Sequence, residues 1–378
     1  MIRPTIATVD LDAVRHNLSA VQRLVTREPR SSGHRAPDVI AVIKANAYGH
    51  GAADVGLALE AAGASMVACA DIEEGVALRR AGLRLPILVF GALSVSDLDG
   101  VIDAELTPTI STPAAARALV NLAVRRKVRL RCHLKIDTGM NRLGFRHDNL
   151  RRTLPELIAS PSLEIAAVYT HFATAHDAES PFLDEQRARF DRAMAALGAL
   201  GLGPVQRHAA NSAAILRDER TWYDAVRPGL LLYGIVPPPL AAADLDLRPA
   251  LSLTSRIVAV KGLRPGEGTG YGLRWRADGP RTIAIVPAGY ADGLDTRLSG
   301  RGNVLVRGRR VPIVGSVCMD MIMIDVTGLD VSPGDEVVLI GKQEHDEISA
   351  REIAAAIGTI PWEIVCRLGS RISRTYTN

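Results

Sequence analysis

From Asp38 to Gly229 the chain alternates short apolar runs with segments whose apolar residues recur every three or four positions. The runs are DVIAVIK (38–44), ASMVACA (64–70), LPILVF (85–90), AELTPTI (104–110), VRLRCHLKI (128–136), LEIAAVYTHF (163–172), PVQRHAA (204–210) and YDAVRPG (223–229). Each has the length and composition of a strand. The intervening segments carry helix punctuation. In DIEEGVALRRAG, Asp71 and Glu74 form the pattern of a capping box and Gly82 a C-terminal stop. In STPAAARALVNLAVRR, Pro113 stands just inside the helix start. FLDEQRARFDRAMAALGALG is a long helix before the seventh run. Ahead of these, TIATVD reads as a strand. LDAVRHNLSAVQRLV reads as a helix capped by Asp10, with Leu11, Val14, Leu18, Val21 and Val25 on one face. A loop rich in Pro, Ser and Arg leads to Asp38. Eight strand–helix alternations over about 200 residues point to an α/β fold, an N-terminal (β/α)8 TIM-like barrel, over an open doubly wound sheet.

The pattern changes at VPPPLAAADLDLRP, where Pro237, Pro238 and Pro239 continue neither helix nor strand. A domain boundary is drawn there: residues 1–237 as the barrel, residues 238–378 as a smaller mainly-β domain. The second part reads LSLTSRIVAVKGL, RTIAIVPAG, NVLVRGRRVPIVG, MIMIDVTGL and DEVVLIG, short β-branched runs with tight turns. A helix, SAREIAAAIG, precedes a last strand-like tail.

Composition narrows the function classes. With 378 residues and 47% apolar content, a large core is easily built. The net charge of +4 comes from interspersed basic and acidic residues, and only 4% of residues are aromatic. No clustered basic stripe or stacking platform marks a nucleic-acid binder. No run is long and apolar enough to span a bilayer, and the amino terminus lacks a signal-peptide core. Cys69, Cys132, Cys318 and Cys366 are far apart, without a metal-ligand or disulfide pattern. The expectation is a cytoplasmic protein that binds neither metal, nucleic acid nor membrane.

Candidate chemistry collects at the carboxyl ends of the barrel runs, where barrel enzymes build their active sites. Lys44 ends the first run, inside VIKANAYGHG. It reads either as a strand-end lysine reaching solvent or as a desolvated Schiff-base lysine. DTGMNR (137–142) follows the fifth run and His171 ends the sixth. Asn211 and Ser212 follow the seventh, and Arg227-Pro228-Gly229 the eighth. The last two positions are where such barrels hold phosphate: Ser212 brings a hydroxyl, Gly229 and Leu230 backbone N–H groups. A phosphate site facing a lysine suits pyridoxal 5'-phosphate.

Eight segments, in order, carry a resemblance: VIKANAYGHG, KIDTGMNRLGF, YTHFATA, HAANSAAIL, VRPGLLLYG, TGYG, PAGYADG and SVCMDMIMIDV. They resemble the successive motifs of the alanine racemase family. The resemblance implies an isomerase that interconverts L-alanine and D-alanine by two bases, supplying D-alanine for peptidoglycan. An alternative within the same fold is a racemase of serine, lysine or a broader substrate set. It also implies a homodimer with shared active sites.

Residue by residue, the resemblance makes Lys44 the lysine bonded to pyridoxal phosphate and one of the two bases. Tyr271 is the second base, reaching the other subunit's barrel. A phenol needs nearby cations to act so, and His171 and Arg227 supply them. Arg227 faces the pyridine nitrogen; as a permanent donor it leaves that nitrogen unprotonated. Tyr48, Asn211, Ser212, Gly229 and Leu230 hold the cofactor. Arg142 contacts the cofactor ring oxygen and the substrate carboxylate. Lys135 resembles a lysine that many members carry carbamylated. Met319, Asp320 and Tyr290 resemble the substrate mouth and entrance, while Cys318 reads as packing. One departure is Ser370, in VCRLGSRISR, where many members carry a tyrosine that narrows the entrance.

Overall fold

The computed structural model describes residues 4–26, 35–93, 98–242 and 245–378. The first strand is β1, Ile6–Asp10. The eight apolar runs become β2 (Asp38–Val42), β3 (Met66–Cys69), β4 (Ile87–Val89), β5 (Leu106–Ile110), β6 (Leu130–Asp137), β8 (Leu163–Tyr169), β9 (Gln206–Asn211) and β10 (Ala225–Arg227). A two-residue strand, β7 (Phe145–Arg146), lies beside the end of β6. Parallel pairing runs β2–β3–β4–β5–β6–β8–β9–β10 and returns from β10 to β2, so the sheet closes into a barrel. Closure buries both faces of each strand, which explains near-continuous apolar runs such as Val39–Ile43, all buried. The polar exceptions, His133 and Lys135 on β6 and His208 on β9, are also buried.

The helices follow their sequence signals. Ala13 N–H donates to the Asp10 carboxylate at 2.8 Å, capping the helix Leu11–Thr26. Its five apolar positions are all buried. Thr112 caps the helix Pro113–Arg126, and Asp71 caps the helix Ile72–Arg80. The Pro-, Ser- and Arg-rich loop lies mostly outside the described residues. Among the described residues, no helix is long and apolar enough to cross a membrane.

The second domain contributes β11 (Leu251–Arg256), β12 (Ala259–Leu263), β13 (Gly268–Thr269), β14 (Trp275–Arg276), β15 (Arg281–Val286), β16 (Asn303–Val306), β17 (Arg309–Val314), β18 (Ile322–Asp325), β19 (Glu336–Gln343), β20 (Asp346–Ile348) and β21 (Ser373–Thr377). Its main sheet is ordered β12-β15-β18-β17-β16-β19-β11-β1-β21. The single run LSLTSRIVAVKGL is therefore two strands at different places in that sheet. β1 also belongs here, antiparallel to β11 and parallel to β21, so the boundary drawn after residue 237 leaves Ile6–Asp10 outside the barrel's sheet. Its alternating burial, with Ala7 and Val9 inside and Thr8 half-exposed, suits a sheet covered on one face.

Candidate active site

Lys44 leaves β2 at the barrel mouth and opens an unusual turn. Ala45, Asn46, Ala47 and Tyr48 all have φ of 52–53°, a left-handed turn with no glycine in it. Such residues cost about 1–2 kcal/mol each, so the surroundings must hold them. Ala47 N–H donates to Ile43 O at 2.8 Å, and Gly51 N–H to Asn46 O at 2.9 Å. Ala52 N–H reaches the Asn46 side chain at 2.8 Å. From the second domain, Arg374 Nε donates to Gly49 O at 2.7 Å. The Ala45 N–H donates to Glu74 at 2.6 Å, and the other Glu74 oxygen accepts from Ala70 N–H at 2.7 Å. The capping box read at Asp71 and Glu74 is thus half formed. Asp71 accepts from Glu74 N–H at 2.8 Å, but the Glu74 carboxylate turns instead to the ends of β2 and β3.

A cavity of about 700 Å³ opens at this end of the barrel, within the size range of small-molecule sites. Lys44, Tyr48, Lys135, Arg142, His171, Asn211, Ser212, Arg227, Gly229 and Leu230, all singled out from the sequence, line it. Four of them are cationic groups. Burial lowers the Lys44 ammonium from its usual range, and the Arg142 charge lowers it further. Burial, then Arg142 and Arg227, bring Lys135 down to about 8. Burial brings Arg227 down to about 10. His171 is pushed well below its ordinary value by burial and by all four cations. The cavity is electropositive and favours an anionic small molecule.

Arg227 is fixed inside the barrel. Nη2 faces Thr170 O at 2.8 Å, Ala209 O at 2.9 Å and His171 Nδ1 at 3.3 Å, so its two protons are shared among three acceptors. Nη1 donates to His208 Nδ1 at 2.8 Å, and His208 Nε2 lies 3.1 Å from His133 Nδ1. The Tyr169 ring stacks on His208 at 4.7 Å, with the guanidinium 5.3 Å from the same ring. Sequence reasoning missed Tyr169, His208 and His133. The available signal was two imidazoles within strands otherwise destined for full burial.

At the same mouth, Gly229 N–H donates to Ser212 Oγ at 2.9 Å, leaving the Ser212 proton free to donate elsewhere. Leu230 begins a 3₁₀ turn, and the first N–H groups of a helical turn have no intrahelical partner. A Cβ on Gly229 would lie 2.6 Å from the Tyr48 hydroxyl, so only glycine leaves room between them. Asn211 caps the next helix through Ala214 N–H at 3.0 Å. Hydroxyls and amides here line the same cavity as the cations, with β10 directly beside β2. This arrangement fits a molecule with an anionic group at one end and an amine-reactive carbonyl at the other.

Four of the sequence-derived residues do not line this cavity. Tyr271, Tyr290, Met319 and Asp320 stand on the second domain, with Tyr271 77%, Met319 50% and Tyr290 45% exposed. They form one neighbourhood. Ser316 Oγ donates to Tyr271 O at 2.8 Å, and Tyr290 N–H donates to Cys318 O at 3.0 Å. Cys318 Sγ, half-buried, reaches Ser316 O at 3.4 Å. Asp320 pairs with Arg371 at 2.7 Å. Ser370 is exposed and outside the cavity lining, whereas Ile360 and Trp362, unmarked in the sequence, are part of it.

A closed parallel barrel whose mouth gathers cations and backbone donors around one cavity defines a barrel protein of the enzyme type, with a site that suits an anionic group. The family models for the N-terminal and C-terminal domains of alanine racemase match residues 9–237 and 250–376. The chain belongs to the alanine racemase family, a family of isomerases. It is 42% identical to the alanine racemase of Symbiobacterium thermophilum, over 99% of this chain and 97% of that one. The structure of the alanine racemase from a D-cycloserine-producing Streptomyces lavendulae is similar with a TM-score of 0.94 at 33% identity, covering 100% of this chain and 98% of that one. The alanine racemase of Bartonella henselae, solved with covalently bound pyridoxal phosphate, matches with a TM-score of 0.85 at 29% identity, covering 99% of each chain. These names do not favour the serine or lysine alternatives.

Proposed function

We propose that this protein interconverts L-alanine and D-alanine with pyridoxal 5'-phosphate held at the barrel mouth. The observation that carries the reading is Lys44. It is a half-buried amine whose ordinary charge is disfavoured by burial and by Arg142, lining the same cavity as the hydroxyls and backbone donors of an anion cradle. Tyr48, Ser212, Gly229 and Leu230 would receive the phosphate, with Asn211 fixing the helix beside them. Arg227 and His171 would face the ring, and Arg142 its oxygen. When bound, the cofactor supplies an aldehyde that links to amines and a ring that spreads the negative charge left at the α-carbon.

Racemisation removes a proton from one face of the α-carbon and returns one to the other. Lys44, desolvated and so closer to its neutral form, serves one face. Tyr271 is exposed, stands on the second domain and is not among the residues lining its own barrel's cavity. The partner subunit's Tyr271 therefore serves the other face, and the active unit is a homodimer. Met319, Asp320 and Tyr290, on the same neighbourhood as Tyr271, then rim the partner's mouth, with Arg142 taking the substrate carboxylate. Arg227 would offer a bound ring nitrogen a donor and never a carboxylate, so the ring would be a weaker sink for negative charge and prompt reprotonation would be favoured. The place of action is the cytoplasm, and D-alanine is a building block for peptidoglycan.

The test is racemisation in deuterium oxide over a panel of L-amino acids. Alanine should lose optical rotation while gaining deuterium at the α-carbon; no loss with any substrate would refute the reading. Mixing inactive Lys44→Ala and Tyr271→Phe subunits should restore activity, because one of the two mixed sites keeps both bases. No restoration would refute the shared site.

A further inference from the structure

We infer that Glu74 is a positioning residue for Lys44: its carboxylate bridges the Lys44–Ala45 peptide to the end of β3 and sets where the amine stands. This rests on the reading of Lys44 as the lysine that bonds the cofactor.

The argument begins with the strained backbone. Four consecutive residues after Lys44 are left-handed, and a turn of that cost unwinds unless both ends are tied. The far end is tied by the second domain. Arg374 holds Gly49 O, and the Val365 carbonyl packs so tightly on Gly49 that a Cβ there would overlap it. The near end, the one that carries Lys44, is tied by Glu74, which takes Ala45 N–H at 2.6 Å. Glu74 does not swing freely. Its second oxygen accepts Ala70 N–H at 2.7 Å, and its own N–H is anchored to Asp71 at 2.8 Å at the start of a nine-residue helix. One carboxylate thus spans the ends of two neighbouring barrel strands, each bond charge-assisted.

Glu74 is not among the cavity's lining residues, so it acts through Lys44 and touches no cofactor atom. Its charge also favours the Lys44 ammonium, opposing the effect of Arg142. Tyr48 and the phosphate cradle depend on the far end of the turn, which Arg374 secures. Loss of Glu74 should therefore disturb the covalent attachment and spare the recognition of phosphate.

Two ligands separate these effects on cofactor-stripped full-length protein: pyridoxal 5'-phosphate, which bonds Lys44, and pyridoxine 5'-phosphate, which has no aldehyde. In Glu74→Gln, a donor amide replaces one acceptor oxygen. The dissociation constant for pyridoxal phosphate should rise about tenfold to a hundredfold, the worth of one charge-assisted bond. That for pyridoxine phosphate should stay within about twofold, the spread ordinary for context. Equal weakening of both, or of neither, overturns the inference. If Glu74→Gln does not fold, Glu74→Asp decides by the same pair of constants, since it keeps the charge but is too short to bridge both amides. Wild-type protein that binds neither ligand overturns the cofactor reading, and this inference with it.

Discussion

Arg227 donates through Nη1 to Nδ1 of His208 across 2.8 Å inside the closed barrel. An arginine has only donors, so His208 Nδ1 is unprotonated and its proton sits on Nε2, 3.1 Å from His133 Nδ1. A single guanidinium thereby sets the tautomers of two imidazoles in succession. Burial, then the Arg227 charge, hold His208 well below its ordinary titration range, consistent with that neutral chain.

His208→Leu removes the acceptor and leaves a guanidinium N–H buried without a partner. The expected loss is about 1–3 kcal/mol of unfolding free energy. His208→Gln, which can still present an oxygen, should lose less. Urea unfolding of the three proteins checks the order, and equal stability would remove the bond from the account.

Acid stability should follow the buried histidines. Burial holds His50 down to about 4 and His133 down to about 3, and His171 and His208 are also well below their usual value. An unfolded histidine takes up its proton near pH ~6.5. Below that pH the unfolded chain binds more protons than the folded one, so stability falls as pH falls. The loss begins at the unfolded value and stops only near 4 for His50 and 3 for His133. Each such histidine adds about 1.4 kcal/mol per pH unit to the slope. Carboxylates held low by ion pairs, such as Asp295 beside Arg297, act only at lower pH. The urea midpoint between pH 6.5 and 5 therefore reads the histidines, and His133→Leu should flatten its pH slope.

Gly229→Ala tests the cradle. Gly229 has a φ of −115°, outside the left-handed region, and alanine would bring a Cβ 2.6 Å from the Tyr48 hydroxyl. Overpacking of this kind costs about 1–3 kcal/mol. The affinity for pyridoxal phosphate should drop about tenfold or more, measured by titrating stripped protein. Unchanged affinity would place the phosphate elsewhere.

Lys135 should react with carbon dioxide. Its amine is brought down to about 8, so a large fraction is neutral at mildly alkaline pH. A neutral amine adds carbon dioxide to form a carbamate and releases one proton, turning a cation among cations into an anion that Arg142 can hold. Protein in ¹³C-bicarbonate should show a carbamate carbon resonance that Lys135→Ala lacks. Its absence from the wild type would refute the modification.

The barrel was legible because closure leaves a local trace. Strands buried on both faces must be largely apolar, and β3, β4 and β2 beyond Asp38 are; the helices around them must show caps, and Asp10, Asp71 and Thr112 supply them. Lys44, Ser212, Arg227 and Gly229 stood out for the same reason: a charge, hydroxyl or glycine at a strand's end has no packing role to explain it. The place of β1 in the second domain's sheet was not legible, because partners 248 and 367 residues away leave no mark on five letters; Ile6 meets Thr254 and Ser373 only in the folded sheet.

Other features were decided only by tertiary structure. The sequence places Glu74 three residues after Asp71, which specifies a capping box. The strained turn of another strand offered Ala45 N–H as a better partner for its carboxylate, and the box gave way. Likewise nothing local aligns His133, His208 and Arg227; barrel curvature brings β6, β9 and β10 together around one interior. Hydrophobic periodicity and capping act within a few residues and can be read along the chain. Hydrogen bonds between distant strands depend on register and closure, which exist only once the whole barrel has formed.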